Sequence, residues 1–338
     1  MRKALPGTIL ILALCLTVGC GGGGGGGGSA SELSYTGLTS QAAVDNNNAE
    51  TIAIQVYQAG EMSSTLTAPM GDSATPAAAA HSPKVVTLVR TLKSAADRAA
   101  AARAGSASAM SQSGAAPMAE VPYNETSYDG FGGSLTVSAV LDDVTGYIHG
   151  TFAFQNWHAD ADTVISGTAS ISGYIDLDTF GLTEGQFSFA SFTMSGAGWS
   201  VSVAGTVDLA NDPPPATATV NLVFRDNVRG KTVWIRDYTL TMVEGPDINL
   251  DLIPDYIEVS VSGRVYLHDY GYVDITTQDP LVIGAWEMNP SAGAMIFTGS
   301  AQRKIRFTVI DELTGFYVEA DLEPDGFYEW TSVDHPWE

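Results

Sequence analysis

Oxygen-bearing side chains recur at short intervals between residues 247 and 258. Counted from Asp247, side-chain oxygens stand at positions 1, 3, 5, 9 and 12, and position 7 offers a backbone carbonyl. In order, these six residues are Asp247, Asn249, Asp251, Ile253, Asp255 and Glu258. Calcium takes about six to eight oxygen ligands from carboxylates, amides and carbonyls, and this spacing can supply them. The crowded carboxylates would repel one another without a cation. The spacing therefore predicts a calcium site.

The same stretch resembles the calcium loop of EF-hands and of bacterial Asp-rich repeats, which place Pro-Asp at positions 8 and 9. Pro254 and Asp255 match that feature. The departure is Leu252 at position 6, where the family has Gly for a sharp turn. A left-handed Leu costs about 1–2 kcal/mol. An acidic connection between two strands is the alternative interpretation.

A second acidic stretch near the C-terminus has the Gly that the first stretch lacks, but it is missing one of the expected carboxylates. Positions 1, 3, 5 and 9 carry carboxylates and position 7 offers a carbonyl: Asp321, Glu323, Asp325, Phe327 and Glu329. Gly326 stands at position 6, but Ser332 replaces the carboxylate expected at position 12. The pattern predicts a weaker second calcium loop, and a polar turn is the alternative.

Two histidine clusters are weaker candidates. His158, Asp160 and Asp162 form one half of a metal site or a strand-connecting loop. His268 and Asp269 lie beside three tyrosines and predict a polar pocket or an aromatic-lined β-surface. The chain lacks the Gly-x-Ser-x-Gly, His-Glu-x-x-His and phosphate-loop motifs. We therefore expect a protein that is not an enzyme.

Alternating apolar residues separated by short polar turns dominate residues 121–338. Period-two alternation predicts strands, and repeated hairpins predict an antiparallel meander. The fold class is all-β, with the meander curled into a barrel or folded into a sandwich. Among the predicted strands are 273–277 and 281–286. The turns at 142–146, 226–230 and 311–315 share an Asp start and a Gly end.

One or two helices precede this body. Residues 32–60 predict a short strand at 33–37 and a helix at 49–59, capped by Asn46 to Asn48 and ended by Gly60. Residues 61–120 are rich in Ala, Ser and Met and predict a linker. Within it, an amphipathic helix near 83–103 has a basic face, suited to anionic lipid or to packing on the body.

The N-terminus has the pattern of a secretory signal peptide over residues 1–19. Arg2 and Lys3 precede an apolar stretch, and Cys20 follows Gly19. Residues 16–20 resemble the lipobox of bacterial lipoproteins, with Thr17 where Leu is preferred. The resemblance implies lipidation of Cys20 and membrane attachment through the lipid. Residues 20–31 form a flexible glycine-rich tether. Gly21 in place of Asp implies the outer membrane, with the body facing the periplasm or the cell surface.

The chain as a whole resembles glycine-tethered lipoproteins of Gram-negative bacteria. The resemblance rests on the leader, on residues 35–37, 262–266 and 268–274, and on 319–321. It implies an envelope location and an all-β body, without an activity. The 38 acidic residues against 15 basic ones exclude a nucleic-acid binder.

We therefore expect a lipid-anchored envelope β-protein with a binding or structural role, stabilised by calcium, with a protein, glycan or lipid partner. The alternatives are a carrier of a lipid or apolar ligand in a curled sheet and, further removed, a glycan-active hydrolase. A cavity inside the sheet would favour the carrier. The many carboxylates leave open the pair that glycoside hydrolysis needs.

Overall fold

The computed structural model describes residues 33–64, 120–142, 144–158, 163–175, 182–210, 216–246, 255–284, 287 and 289–337. These residues belong to two compact units, of which the second combines residues 35–64 with 209–337. The first unit contains β1 (Glu120–Tyr128), β2 (Ser134–Asp142), β3 (Tyr147–His158), β4 (Val164–Ile175), β5 (Leu182–Gly196) and most of β6 (Trp199–Ala210).

The described residues of the second unit form one α-helix and eight strands, with a short 3-10 helix at Ser300–Gln302. They are α1 (Ala49–Ser64), β7 (Ala216–Asp226), β8 (Thr232–Glu244), β9 (Tyr256–Leu267), β10 (Gly271–Gly284), β11 (Ala292–Thr298), β12 (Lys304–Asp311), β13 (Gly315–Asp321) and β14 (Trp330–Thr331). Within the described residues, no helix combines the length and apolarity needed to cross a membrane.

Within each unit, consecutive strands are neighbours and run antiparallel. The all-β antiparallel meander is therefore confirmed. Its cause is the period-two pattern: in β2, the inward side chains from Leu135 to Leu141 alternate with half-exposed ones. The largest fully buried side chains include Phe152 in the first unit and Phe297 and Phe307 in the second.

Three hairpin turns use the same local chemistry. In each, an Asp Oδ1 accepts the backbone N–H of the residues two and three positions later, and a Gly with positive φ closes the turn. The bonds measure 2.8 and 3.0 Å at Asp142, 2.9 and 3.0 Å at Asp226, and 2.9 and 2.6 Å at Asp311. This confirms the turns expected from the Asp and Gly spacing.

Strand β10 differs from the expectation of two strands. It runs unbroken from Gly271 to Gly284, with register shifts on both sides of Asp279. Pro280 lacks a backbone N–H, and it lies in the irregular stretch between Asp279 and Val282, where regular pairing with β11 is interrupted.

The expected strand at 33–37 is wrong, because these residues form no ladder. The segment is instead held by single bonds: the Thr36 N–H to Thr232 Oγ1 and the Leu38 N–H to the His268 carbonyl, both 3.1 Å. Gln41 makes an isolated parallel bridge to Tyr272. From Tyr35 onward the segment is thus tied into the second unit through contacts remote in sequence.

Helix α1 is confirmed, with two corrections at its ends. Asp45, rather than the asparagines alone, provides the cap: its Oδ1 accepts the Asn47 N–H at 2.8 Å. Asn48 Oδ1 accepts the Asp45 N–H at 2.9 Å in return. Gly60 does not end the helix. It lies within it, where an added Cβ would stand 2.7 Å from Tyr238 Oη.

Candidate metal centre

The loop between β13 and β14 brings three carboxylates together. Asp321 is the last residue of β13, Asp325 lies in the loop and Glu329 directly precedes β14. One carboxylate oxygen from each lies within 4.8 Å of those of the other two. Two oxygens bound to one calcium ion are at most about 5 Å apart, twice the Ca–O distance. A single calcium ion can therefore span the three side chains.

Backbone N–H groups of the same loop orient all three carboxylates. Asp321 Oδ2 accepts the Gly326 N–H at 3.1 Å, Asp325 Oδ1 accepts the Phe327 N–H at 2.9 Å, and Glu329 Oε2 accepts the Leu322 N–H at 2.8 Å. Each carboxylate keeps a second oxygen outside these bonds. The loop thus holds each carboxylate in position through one of its oxygens.

Asp321 is the unusual member of this acidic triad (Asp321, Asp325 and Glu329). Its residue is 1% exposed, while the other two members are exposed. No donor among the described residues reaches Asp321 Oδ1, although Lys304 is its register partner on β12. A buried carboxylate oxygen without a partner is costly in a protein interior. A bound cation would satisfy it.

The structure separates the residues expected for this second loop. Glu323 is exposed and lies outside the triad, and Phe327 is likewise exposed. Gly326 has φ of +90°, the conformation that calls for Gly at position 6 of such a loop. The expected carboxylates at positions 1, 5 and 9 therefore converge, while the one at position 3 does not. Burial of Asp321 is the feature that sequence spacing did not reveal.

The first predicted calcium loop is described only at its stem. The Gly245 N–H donates to the Tyr256 carbonyl and the Asp255 N–H to the Pro246 carbonyl, both at 2.9 Å. Glu258 lies in β9, paired with Val243 of β8. The other four expected ligands, Asp247, Asn249, Asp251 and Ile253, lie outside the described residues, so calcium at this loop stays a prediction.

The histidine expected in a half-site has another partner. His158 Nδ1 lies 2.8 Å from Asp129 Oδ2, which also accepts the His158 backbone N–H at 2.6 Å. Burial alone would raise the pKa of Asp129, but these bonds and those from the Phe131 and Gly133 N–H groups hold it well below its usual range. Asp160 and Asp162 lie outside the described residues. His158 thus anchors the turn before β2.

The second histidine cluster lies on an aromatic surface. The His268 Nδ1 accepts the Thr232 N–H at 3.3 Å, and Asp269 pairs with Lys231. The Tyr266 ring is buried and stacks on Trp234, with centroids 4.6 Å apart. His268 and Asp269 thus lie in the turn after β9 with polar partners, and only the neighbouring Tyr266 belongs to an aromatic row across β8 and β9.

Outside the described residues lie the leader with Cys20, the tether and the expected helix near 83–103. Comparisons with protein-family models, curated proteins and solved structures give no match. The function is therefore inferred from the chemistry of the sequence and of the described sites.

Proposed function

We propose that this protein is a lipid-anchored β-protein of the bacterial outer membrane with a structural or binding role. A calcium ion at the acidic triad holds the C-terminal end of its second unit in place. The observation that carries the calcium part is the buried Asp321 Oδ1, which has no donor among the described residues. Export of the chain would expose this weak site to the calcium concentrations at which extracellular modules bind.

The triad acts at the start of a tail that covers the edge of β13. Thr331 pairs with Glu319, and the Ser332 N–H donates to the Val318 carbonyl at 2.8 Å. His335 and Phe316 then exchange two backbone hydrogen bonds of 2.8 and 3.0 Å. A bare edge strand is a template for unwanted pairing, so a covered edge protects the protein from association. A cation that fixes Glu329 fixes the point from which this cover begins.

Native mass spectrometry of the purified mature protein tests the cation site. We expect one calcium ion per chain from the triad, lost in Asp321→Asn and retained in Glu323→Gln. Glu323 is the matched control because it lies in the same loop, carries the same charge and stands outside the triad. A second ion would report the loop at 247–258. Equal calcium loading of both variants would remove the triad from the proposal.

The anchor is tested by metabolic labelling with an alkyne palmitate. The leader predicts that Cys20 carries the lipid, because Gly19 before it is small enough for cleavage. Wild-type protein should be labelled and should fractionate with outer membranes, whereas Cys20→Ser should lose the label. Cys15→Ser is the matched control and should keep it. Labelling of Cys20→Ser at the wild-type level would refute the assignment.

A further inference from the structure

Two arginines stand directly opposite each other on neighbouring strands of the second unit. Arg236 of β8 is the register partner of Arg264 of β9, and Asp274 of β10 lies next to Arg264. Like charges directly opposite each other destabilise a sheet. Two basic residues in direct opposition are unexpected in a chain that has only 15 Lys and Arg against 38 acidic residues.

A β-bulge in β8 shapes the surface at this point. Asn221 of β7 opposes both Arg236 and Asp237, and its Oδ1 accepts the Asp237 N–H at 2.9 Å. Asp237 has φ of 48°. Opposite it, Gly263 has φ of +141°, and an added Cβ would lie 2.5 Å from the Tyr238 Cα. Asn221, Asp237 and Gly263 thus favour the bulge. Arg236 and Asp237 are both exposed there.

Each of the two guanidinium groups is paired with a carboxylate through its Nε atom. Arg264 Nε lies 2.7 Å from Asp274 Oδ1, and Arg236 Nε lies 3.3 Å from Asp237 Oδ2. Each group also lies over an aromatic ring: Arg264 Cζ is 3.9 Å from the Tyr272 centroid and Arg236 Cζ is 5.4 Å from that of Trp234. The carboxylates and rings orient the arginines, and Arg264 is also hydrogen-bonded to the Tyr266 side chain. A guanidinium has five N–H donors, so each arginine has donors beyond these contacts for a ligand.

The arginines, Asp237, Gly263 and Asp274 line a cleft of about 320 Å³. This volume is at the lower end of small-ligand sites, about 300–1,000 Å³. Planar guanidinium forks recognise carboxylate and phosphate oxygens through paired, charge-assisted hydrogen bonds. The two aspartates add acceptors for hydroxyl groups, and in a chain of formal charge −23 they also oppose a bare anion.

We propose that this cleft binds a hydroxylated oxyanion, which is an acidic sugar or a sugar phosphate. Arg236 and Arg264 bind the anionic group, and Asp237 and Asp274 accept hydrogen bonds from the sugar hydroxyls. The bulge fixes the spacing of these four side chains. This site is independent of the calcium centre, since it lies on β8 to β10 and uses none of the triad residues.

Isothermal titration of the mature protein with four sugars and inorganic phosphate tests the proposal. Galacturonate has a carboxylate where galactose has a hydroxymethyl group. Glucose 6-phosphate has a phosphate that glucose lacks. We expect a Kd of about 1 mM for at least one acidic probe. The neutral sugars and inorganic phosphate should bind about tenfold more weakly or not at all. Binding of galacturonate alone would identify the carboxylate source, and of glucose 6-phosphate alone the phosphate source.

Arginine-to-lysine variants separate fork recognition from simple charge. Arg264→Lys keeps the charge but loses the planar fork, so the Kd of the acidic probe should weaken about tenfold. Arg236→Lys should act in the same direction. Arg229→Lys is the control, because Arg229 lies in an exposed turn outside the cleft. The proposal is overturned if no acidic probe binds, if galactose binds as well as galacturonate, or if all three lysine variants bind equally.

Discussion

Calcium at ten times its Kd is expected to raise the melting temperature of the second unit by about 3–6 °C. Binding to the folded state alone contributes RT ln 11, which is about 1.4 kcal/mol. A domain of this size gains about 2–4 °C for each kcal/mol. The physical source is the acidic triad, where a divalent cation offsets the repulsion of three carboxylates and satisfies Asp321 Oδ1. Scanning calorimetry with calcium and then with EGTA measures the shift and its reversal.

Two variants decide whether the triad causes this shift. Asp321→Asn removes the buried charge, so the calcium-free protein should melt higher than the wild type and should no longer respond to calcium. Glu323→Gln removes an exposed charge from the same loop and should keep the wild-type response. If calcium leaves the wild-type melting temperature unchanged, or if Asp321→Asn keeps the full shift, the loop is an acidic turn without a cation.

Gly315→Ala should be among the most destabilising single-methyl changes in the described chain. Gly315 opens β13 with φ of +125°, a conformation that L side chains rarely adopt. An added Cβ would lie 1.8 Å from the His335 carbonyl oxygen, which belongs to the tail covering this strand. The methyl group therefore strains the backbone and displaces the tail. We expect a loss of about 3 kcal/mol or more in the free energy of unfolding, measured with urea.

Gly230→Ala is the matched control for backbone strain alone. Gly230 closes the equivalent turn of the β7–β8 hairpin with φ of +73°, and nothing lies within 4 Å of an added Cβ. It should lose only about 1–2 kcal/mol. Gly315→Ala should also speed chymotryptic cleavage after Trp330, which pairs with Ala320 at the start of the tail. Equal losses in both variants would show that the tail adds nothing to the cost.

Short-range patterns predicted much of the fold because their causes are local. Period-two alternation places one side of a strand such as β2 in the core wherever that strand pairs. The Asp142 turn needs only an Asp carboxylate and two nearby N–H groups, all within a few residues. Helix α1 followed from Ile52 and Val56 on one face, both of which are buried. The carboxylates of Asp321, Asp325 and Glu329, which their spacing predicted to lie together, also lie together in the structure.

Features that depend on contacts between distant segments could not be predicted. Residues 33–37 have the composition of a strand, but their partners, Thr232 and His268, lie far along the chain. The pattern predicted separate strands at 273–277 and 281–286, yet β10 runs through both with register shifts. Likewise, Gly60 has the place of a helix end, but α1 continues past it to Ser64, and Gly60 lies close to Tyr238.

The sequence by itself determined the all-β class, the hairpin turns and the acidic spacing, since alternation and turn chemistry act over a few residues. Only the tertiary structure decided which carboxylate is buried. Asp321 ends β13, and its burial arises where the returning loop and tail meet that strand. The opposition of Arg236 and Arg264 is likewise a matter of strand register. Register joins residues far apart in the chain, and the position of one bulge can shift it by a residue.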